Sequence, residues 1–282
     1  MTRIQKDTNK EYHSNTDYIG STSLKKYLKS PLFYRESIDQ ETEALEFGSA
    51  YHTLVLEPEL FSKEYYIFDE MLRPDKEKTM AAKVNKVWLA ELKSIYGTKL
   101  IHKKVHGEMK AMKKRLFAHP YAKYLLTGGE NELSHYTEFE GVKCKFRTDS
   151  IIQKKCIIAD LKTCNDASKD KFPNHAADYG YHFTGAYYTD LAQHVYNSSR
   201  IWKFYIIAQE KKHPFLFNIF RLSPQALAIG NYEYMQCLNQ HKYCLETNDY
   251  KGLQVFCDNK WGINELTIPS YKVKEINFYN KY

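Results

Sequence analysis

Residues 147–162 read RTDSIIQKKCIIADLK. Two β-branched, apolar runs flank a polar Gln153-Lys154-Lys155, and that pattern predicts a β-hairpin. If the turn is centred between Lys154 and Lys155, antiparallel pairing places Asp149 opposite Asp160, because paired indices keep a constant sum. Directly opposed side chains lie ~5 Å apart at Cβ, where like charges destabilise the pair. A compensating charge is therefore required.

The strand before the turn supplies part of the context. Its odd positions are Lys143, Lys145, Arg147 and Asp149, and its even positions are Val142, Cys144 and Phe146, so alternation predicts one charged face and one apolar face. After the turn, Cys156, Ile158, Asp160 and Lys162 share a parity. This puts Asp160 and Lys162 on one face, ~7 Å apart along the strand. A divalent cation between the two carboxylates removes their repulsion and takes hard oxygen ligands of this kind. It can also polarise a phosphoryl oxygen and acidify a bound water, which the lysine can position. An Asp-x-Lys tripeptide alone fits a surface ion pair as well. The charged face and the preceding Arg-Thr-Asp favour the metal.

The chain has 282 residues, 43% hydrophobic and 15% aromatic, enough for a sizeable core, and we expect a single domain over 1–282 with 1–20 as a candidate flexible lead. No run of about eighteen apolar residues occurs and the first residues carry no apolar segment behind their charges, so neither a membrane span nor a signal peptide is expected and the protein is read as cytoplasmic. None of the six cysteines belongs to a CxxC pair, which disfavours a zinc knuckle and predicts buried free thiols. The net charge of +7 is unevenly placed: residues 73–115 hold thirteen Lys/Arg against four Asp/Glu. Such a local excess suits a polyanion partner, since each neutralised phosphate releases counterions, and equally suits a solvated helix face.

Along the chain, Ser21 or Ser23 caps an entry helix that Pro31 interrupts, and EFGSAYHTLVLEP forms a helix ended by Pro58. Amphipathic spacing predicts helices near 77–96 and 103–118. HYTEFEGVKCKFRTDSII and CIIADLKTC read as strands, AADYGYHFTGAYYTDLAQHVY as one long helix, IWKFYIIAQE and PFLFNIFRL as strands, and the segment from Ser223-Pro224 as a last helix. The expected class is α/β, a central mixed sheet flanked by helices.

RTD with IADLKT resembles the core of the PDDEXK (restriction-endonuclease-like) nuclease superfamily. The flanks resemble its RecB-like branch, which contains the nuclease domain of exonuclease VIII (RecE): STSLKKYLKSP at 21–31 is similar to the opening helix, EFGSAYHTLVLEP at 46–58 to the histidine motif, and HPYAKYLLTGGENELS to the lead into the sheet. YGYHFTGAYYTD at 179–190 is similar to the long helix, AQEKKHPF to the next strand pair and WGINELTIPSY to the terminal segment.

The resemblance implies that Asp149 and Asp160 are metal ligands, Lys162 the catalytic lysine, the Leu161 carbonyl a further ligand, and His52 a ligand to a second metal, with Gly48 one turn earlier leaving room for close approach. It implies Mg²⁺, two ions, with Mn²⁺ as substitute. Arg147 and Thr163 fall at site-support positions and Glu132 where an acidic residue precedes the sheet. The family's long helix carries Gln four residues before Tyr; here Thr184 stands at the Gln position and Tyr188 is retained, while Tyr181 shares its helix face. Lys103, Lys104, Lys110, Lys113 and Lys114 are the candidate DNA contacts. The activity implied is 5′ to 3′ digestion of double-stranded DNA ends in phage or prophage recombination, with a single-strand annealing protein and a homo-oligomeric ring as partners. The alternatives are an inactive DNA-binding scaffold on a nuclease fold, and an endonuclease. The tyrosine-rich ends, including INFYNKY, are read as packing or subunit contacts.

Overall fold

The computed structural model of the protein describes residues 2–38, 42–253 and 263–268. Cys257, Trp261, Gly262, the end of WGINELTIPSY and the INFYNKY segment lie outside the described residues. In chain order the elements are β1 (Arg3–Lys6), α1 (Asn9–Ser14), α2 (Ser21–Lys25), α3 (Pro31–Glu36), α4 (Glu43–Leu56), α5 (Pro58–Glu64), β2 (Tyr66–Phe68), α6 (Lys83–Tyr96), β3 (Leu100–His102), α7 (Lys103–Phe117) and α8 (Pro120–Thr127). They continue with β4 (Glu130–Phe139), β5 (Val142–Ile152), β6 (Ile157–Cys164), α9 (Phe172–Asp178), α10 (Tyr181–Val195), β7 (Lys203–Glu210), β8 (Phe217–Arg221) and α11 (Pro224–Thr247).

Six strands form one mixed sheet in the order β1-β4-β5-β6-β7-β8, in which β6 and β7 run parallel and every other neighbouring pair is antiparallel. The hairpin has the register its sequence predicts: Ser150 pairs with Ala159 and Ile152 with Ile157 around a turn at Gln153–Lys155. One hydrophobic core lies under α10 and α11, with Phe146, Ile158, Phe183, Tyr187, Phe204 and Tyr234 buried in it. A second lies under α4, α7 and α8, built on Tyr51, Met109, Met112, Leu125, Leu161 and Ile207. The sheet is thus covered on both faces, which explains why β6 reads as nearly continuous hydrophobic sequence. Short β2 and β3 form a separate parallel pair. No helix among the described residues is long and apolar enough to cross a membrane. The five described cysteines are free and buried.

Three sequence expectations are corrected. The long helix from residue 176 is broken: α9 and α10 meet at Tyr179-Gly180, where Gly180 adopts φ +62, a left-handed conformation open to glycine. The helix expected from 77 starts at Lys83, because Asn85, fully buried, donates to the carbonyls of Asp75, Lys78 and Thr79, and Arg73 donates to those of Glu70, Lys76 and Lys78, winding residues 70–79 into a tight loop. Residues 3–14, within the expected flexible lead, are ordered: β1 pairs with β4, and a Thr8/Glu11 capping box starts α1.

Candidate active site

The hairpin ladder stops at Ser150–Ala159, one step before the row that holds Asp149 and Asp160. There the Asp149 carboxylate takes over the pairing and accepts a 2.7 Å hydrogen bond from the Leu161 N–H through Oδ2. One step away, Asp160 accepts a 2.6 Å ion pair from Lys162 Nζ. Burial raises Asp160 above the usual carboxylate range, against the pull of Lys162, and Asp149 adds to the rise. Burial works to lower Lys162, but the Asp160 and Asp149 carboxylates overcome it and hold the ammonium charged. The two opposed aspartates are therefore kept apart by a lysine on one side and a backbone amide on the other.

Strand alternation breaks at this same row. Phe146 and Ile151 face one core although they are five residues apart, and Leu133 faces that core while Asn131 reaches across the other side to the carbonyls of Leu56 and Leu126. The reversal falls at Glu132, whose φ is +52 and whose place in the β4–β5 register is opposite Asp149. A non-glycine residue held there costs on the order of 1–3 kcal/mol and persists only where its surroundings fix it. Arg147 does so, with Nε 2.8 Å from Glu132 Oε2. Burial and the neighbouring Asp149 push Glu132 up to about 8.

From α4, His52 brings Nδ1 to 3.4 Å from Asp149 Oδ2. Among the described residues, His52, Glu132 and Asp149 are the trio whose ligand atoms all lie within 4.8 Å of one another. Two carboxylates and one imidazole on a half-buried site suit a divalent cation, the carboxylates taking any hard ion and the imidazole suiting Mn²⁺-like ions better than Mg²⁺. Of the expected set of Asp149, Asp160, the Leu161 carbonyl and His52, the structure brings Asp149 and His52 together. Glu132 joins Asp149 and His52, while Asp160 is drawn onto Lys162.

His52, Glu132 and Asp149 floor a groove of about 860 Å³ with Tyr188 and Arg147. Asn9, Glu11 and Tyr12 of α1 line one wall, and Ser49, Thr53 and Glu57 of α4 and its end line the other. Arg147 spans them, 3.4 Å from Asn9 Oδ1 and 4.0 Å from Glu57. Of the rest of the predicted charged face, Lys143 is exposed but Lys145 is not solvated. Lys145 is buried, donating at 2.7 Å to both the Tyr12 and Asn15 carbonyls.

On the α10 side, Tyr188 packs on Phe146 and Phe204, and the Tyr181 ring lies 5.7 Å from Lys162 Nζ. Thr184 is half-buried one turn before Tyr188. Thr163 is half-buried on β6, and a Cβ at Gly48 would sit 3.9 Å from its hydroxyl, an ordinary contact, so packing alone does not demand glycine there. Of the candidate lysines, Lys104, Lys110 and Lys114 are exposed on α7. Lys103, also exposed, pairs with Asp69 at 2.7 Å. Lys113 instead donates to the Leu54 carbonyl at 2.7 Å, tying α7 to the last turn of the helix that carries His52.

Sequence reasoning missed Asn9 and Tyr12, whose one readable signal is the T-x-x-E capping box, and Tyr51 with Gln209. Fully buried, the Tyr51 hydroxyl donates to Gln209 Oε1 at 2.5 Å and Gln209 Nε2 donates to the Met112 carbonyl at 3.0 Å, so the residue next to His52 is locked to β7 and α7.

A mixed sheet that sets an aspartate on one strand and an Asp-x-Lys on its neighbour fits a PDDEXK-like fold. The chain belongs to the family described as PDDEXK-like domain of unknown function (DUF3799), whose model matches residues 21–252. Among solved structures it is similar to a candidate exonuclease from Eubacterium rectale, with a TM-score of 0.59 at 17% identity over 94% of this chain and 96% of that one. A weaker likeness is to the structure of SSO0001, with a TM-score of 0.27 at 13% identity over 78% of this chain and 85% of that chain. No curated protein matches the sequence.

Because a metal-ligating carboxyl must be ionised, a Glu132 raised to about 8 makes divalent binding stronger as pH rises towards 8, with a proton released on binding below it. Titration with Mn²⁺ at pH 6 and pH 8 checks this. The affinity should climb between the two in the wild type, and the climb should shrink in Glu132→Gln.

Proposed function

We propose that this chain is a divalent-metal-dependent deoxyribonuclease, a RecE-like 5′ to 3′ exonuclease that uses Mg²⁺ on double-stranded DNA ends. The observation that carries the reading is the adjacency of His52, Glu132 and Asp149 to the Asp160–Lys162 pair at the point where β5 and β6 part. Bound there, a cation would polarise the phosphoryl oxygen and lower the pKa of a water. The protein's own groups do the rest. Lys162, held charged, orients the attacking water and stabilises the charge that develops on the phosphorus oxygens. Asp149, fixed by the Leu161 N–H, keeps one oxygen aimed at His52. Tyr51 and Gln209 hold the helix that presents that histidine.

The biological setting of the reading is phage or prophage recombination in the cytoplasm, where such an enzyme works with a single-strand annealing protein and as a ring of identical subunits. Lys103, Lys104, Lys110 and Lys114 supply an exposed cationic face for the duplex. Neutralising Lys104 and Lys110 together should reduce the slope of log affinity against log salt by about 2 if both touch phosphates. An unchanged slope in a filter-binding or anisotropy titration removes α7 from the DNA path.

The direct test is digestion of a linear duplex labelled at its 5′ or 3′ ends, in Mg²⁺ and in EDTA, with closed circular DNA alongside. Early release of 5′ label that needs the metal and fails in Asp160→Ala supports the reading. Cutting of the circle would make the chain an endonuclease. DNA binding with no cleavage under any condition would make it a scaffold.

A further inference from the structure

The two sides of the site differ in charge. Along the α1 and α5 arm of the groove, six carboxylates face four cationic side chains, and three of those four are engaged: Lys99 with Glu64, Lys145 with backbone carbonyls and Arg147 with Glu132. A nucleic-acid strand gains little by lying there beyond the cation site itself.

Past Lys162 the chemistry changes. The Tyr181 ring sits 5.7 Å from Lys162 Nζ, and beyond it lie two further rings, His175 at 5.8 Å and Tyr179 at 6.0 Å from Tyr181 and 4.4 Å from each other. Tyr179 is 60% exposed. Its corner is fixed from both ends, by the left-handed Gly180 and by Lys25 Nζ, which donates to the Tyr179 carbonyl at 3.0 Å. That ammonium has two further N–H donors. Lys25 is held down to about 8 by burial and by the charge of Lys162, so the two cations sense each other directly. Two neighbouring ammonium groups beside a ring with an open face offer a phosphate and a base to one nucleotide. Lys169 and Lys171, both exposed, precede the same corner.

We propose that Tyr179 is a stacking platform for an unpaired base of the strand being cut, with Lys25 and Lys162 flanking the phosphate that joins this base to the scissile group. The inference rests on the nuclease reading and sharpens it: the end that enters the site is frayed, and its unpaired nucleotide leaves on the α9–α10 side. Every base has a π-face, so the platform is indifferent to sequence.

The test uses the full chain and a duplex with a short single-stranded tail, 2-aminopurine at the first unpaired position, in Ca²⁺ so that binding is read without turnover. Stacking on Tyr179 quenches the fluorophore. Wild type and Tyr179→Phe should both quench it, whereas Tyr179→Ala should lose the quench and bind the tailed duplex about ten-fold more weakly (~1.4 kcal/mol). The same substitution should leave the affinity for a duplex closed by hairpins at both ends unchanged. If wild type digests DNA and Tyr179→Ala matches it in quench and affinity, the platform is overturned and the nuclease reading stands. A Tyr179-dependent quench in a wild type that digests no DNA would retain the base site and overturn the nuclease reading. No quench with the wild type would overturn the platform outright.

Discussion

Asp149→Asn is expected to lower metal-dependent DNA hydrolysis by at least about 10³-fold, equivalent to ~4 kcal/mol of transition-state stabilisation. Asparagine keeps an oxygen where Asp149 Oδ2 accepts the Leu161 N–H, so the local strand geometry survives while the charge disappears. What is lost is the central member of the row, the one carboxylate that touches His52 and lies in register with Glu132. Without it, two of three ligands remain and Lys162 loses one of the carboxylates that hold it charged. The metal-free variant should be no less stable than the wild type, because like charges in adjacent strand positions oppose folding. Thermal shift with and without Mn²⁺ separates the two effects: the wild type should gain melting temperature on adding metal and Asp149→Asn should not. A variant that keeps both the metal-induced shift and the activity would remove Asp149 from the site.

A large loss of stability is expected at Gly230→Ala. A Cβ there would lie 2.2 Å from the His182 carbonyl oxygen and 2.9 Å from the Phe183 amide, so α11 and α10 touch backbone to backbone and cannot yield without separating. Overpacking of that kind costs about 3 kcal/mol, and for a domain of this size that lowers the melting temperature by about 5 °C. Gly107 is the matching control. It lies within α7 with nothing inside 4 Å of its missing Cβ, and Gly107→Ala should stabilise the protein by ~1 kcal/mol through helix propensity alone. Equal melting temperatures for the two variants would show that the α10–α11 contact is softer than the backbone distances require.

Much of this architecture was legible. The hairpin register followed from two β-branched runs that bracket a polar turn. Both basic helices were visible in their spacing, and α7 begins and ends within a residue of its expected limits. Glu132 was harder to place, since parity arguments assume unbroken alternation and the pleat reverses at that residue. Lys113 looked like its exposed neighbours, but an amphipathic pattern does not say which lysine stem will lie along a neighbouring helix and find a carbonyl. The α9–α10 break hid in a single glycine, and β1 and α1 are too short and polar to carry a periodic signal.

The pairing of β1 with β4 has a consequence for biosynthesis. Arg3 pairs with Tyr136, and Asn9 reaches Arg147, so the first wall of the groove to be synthesised waits for partners made more than a hundred residues later. Local hairpins close quickly and such distant pairings close last. A ribosome-bound chain therefore carries β1 and α1 without a floor beneath them, and when β4 to β6 emerge the Asp–Lys row is complete before its roof is.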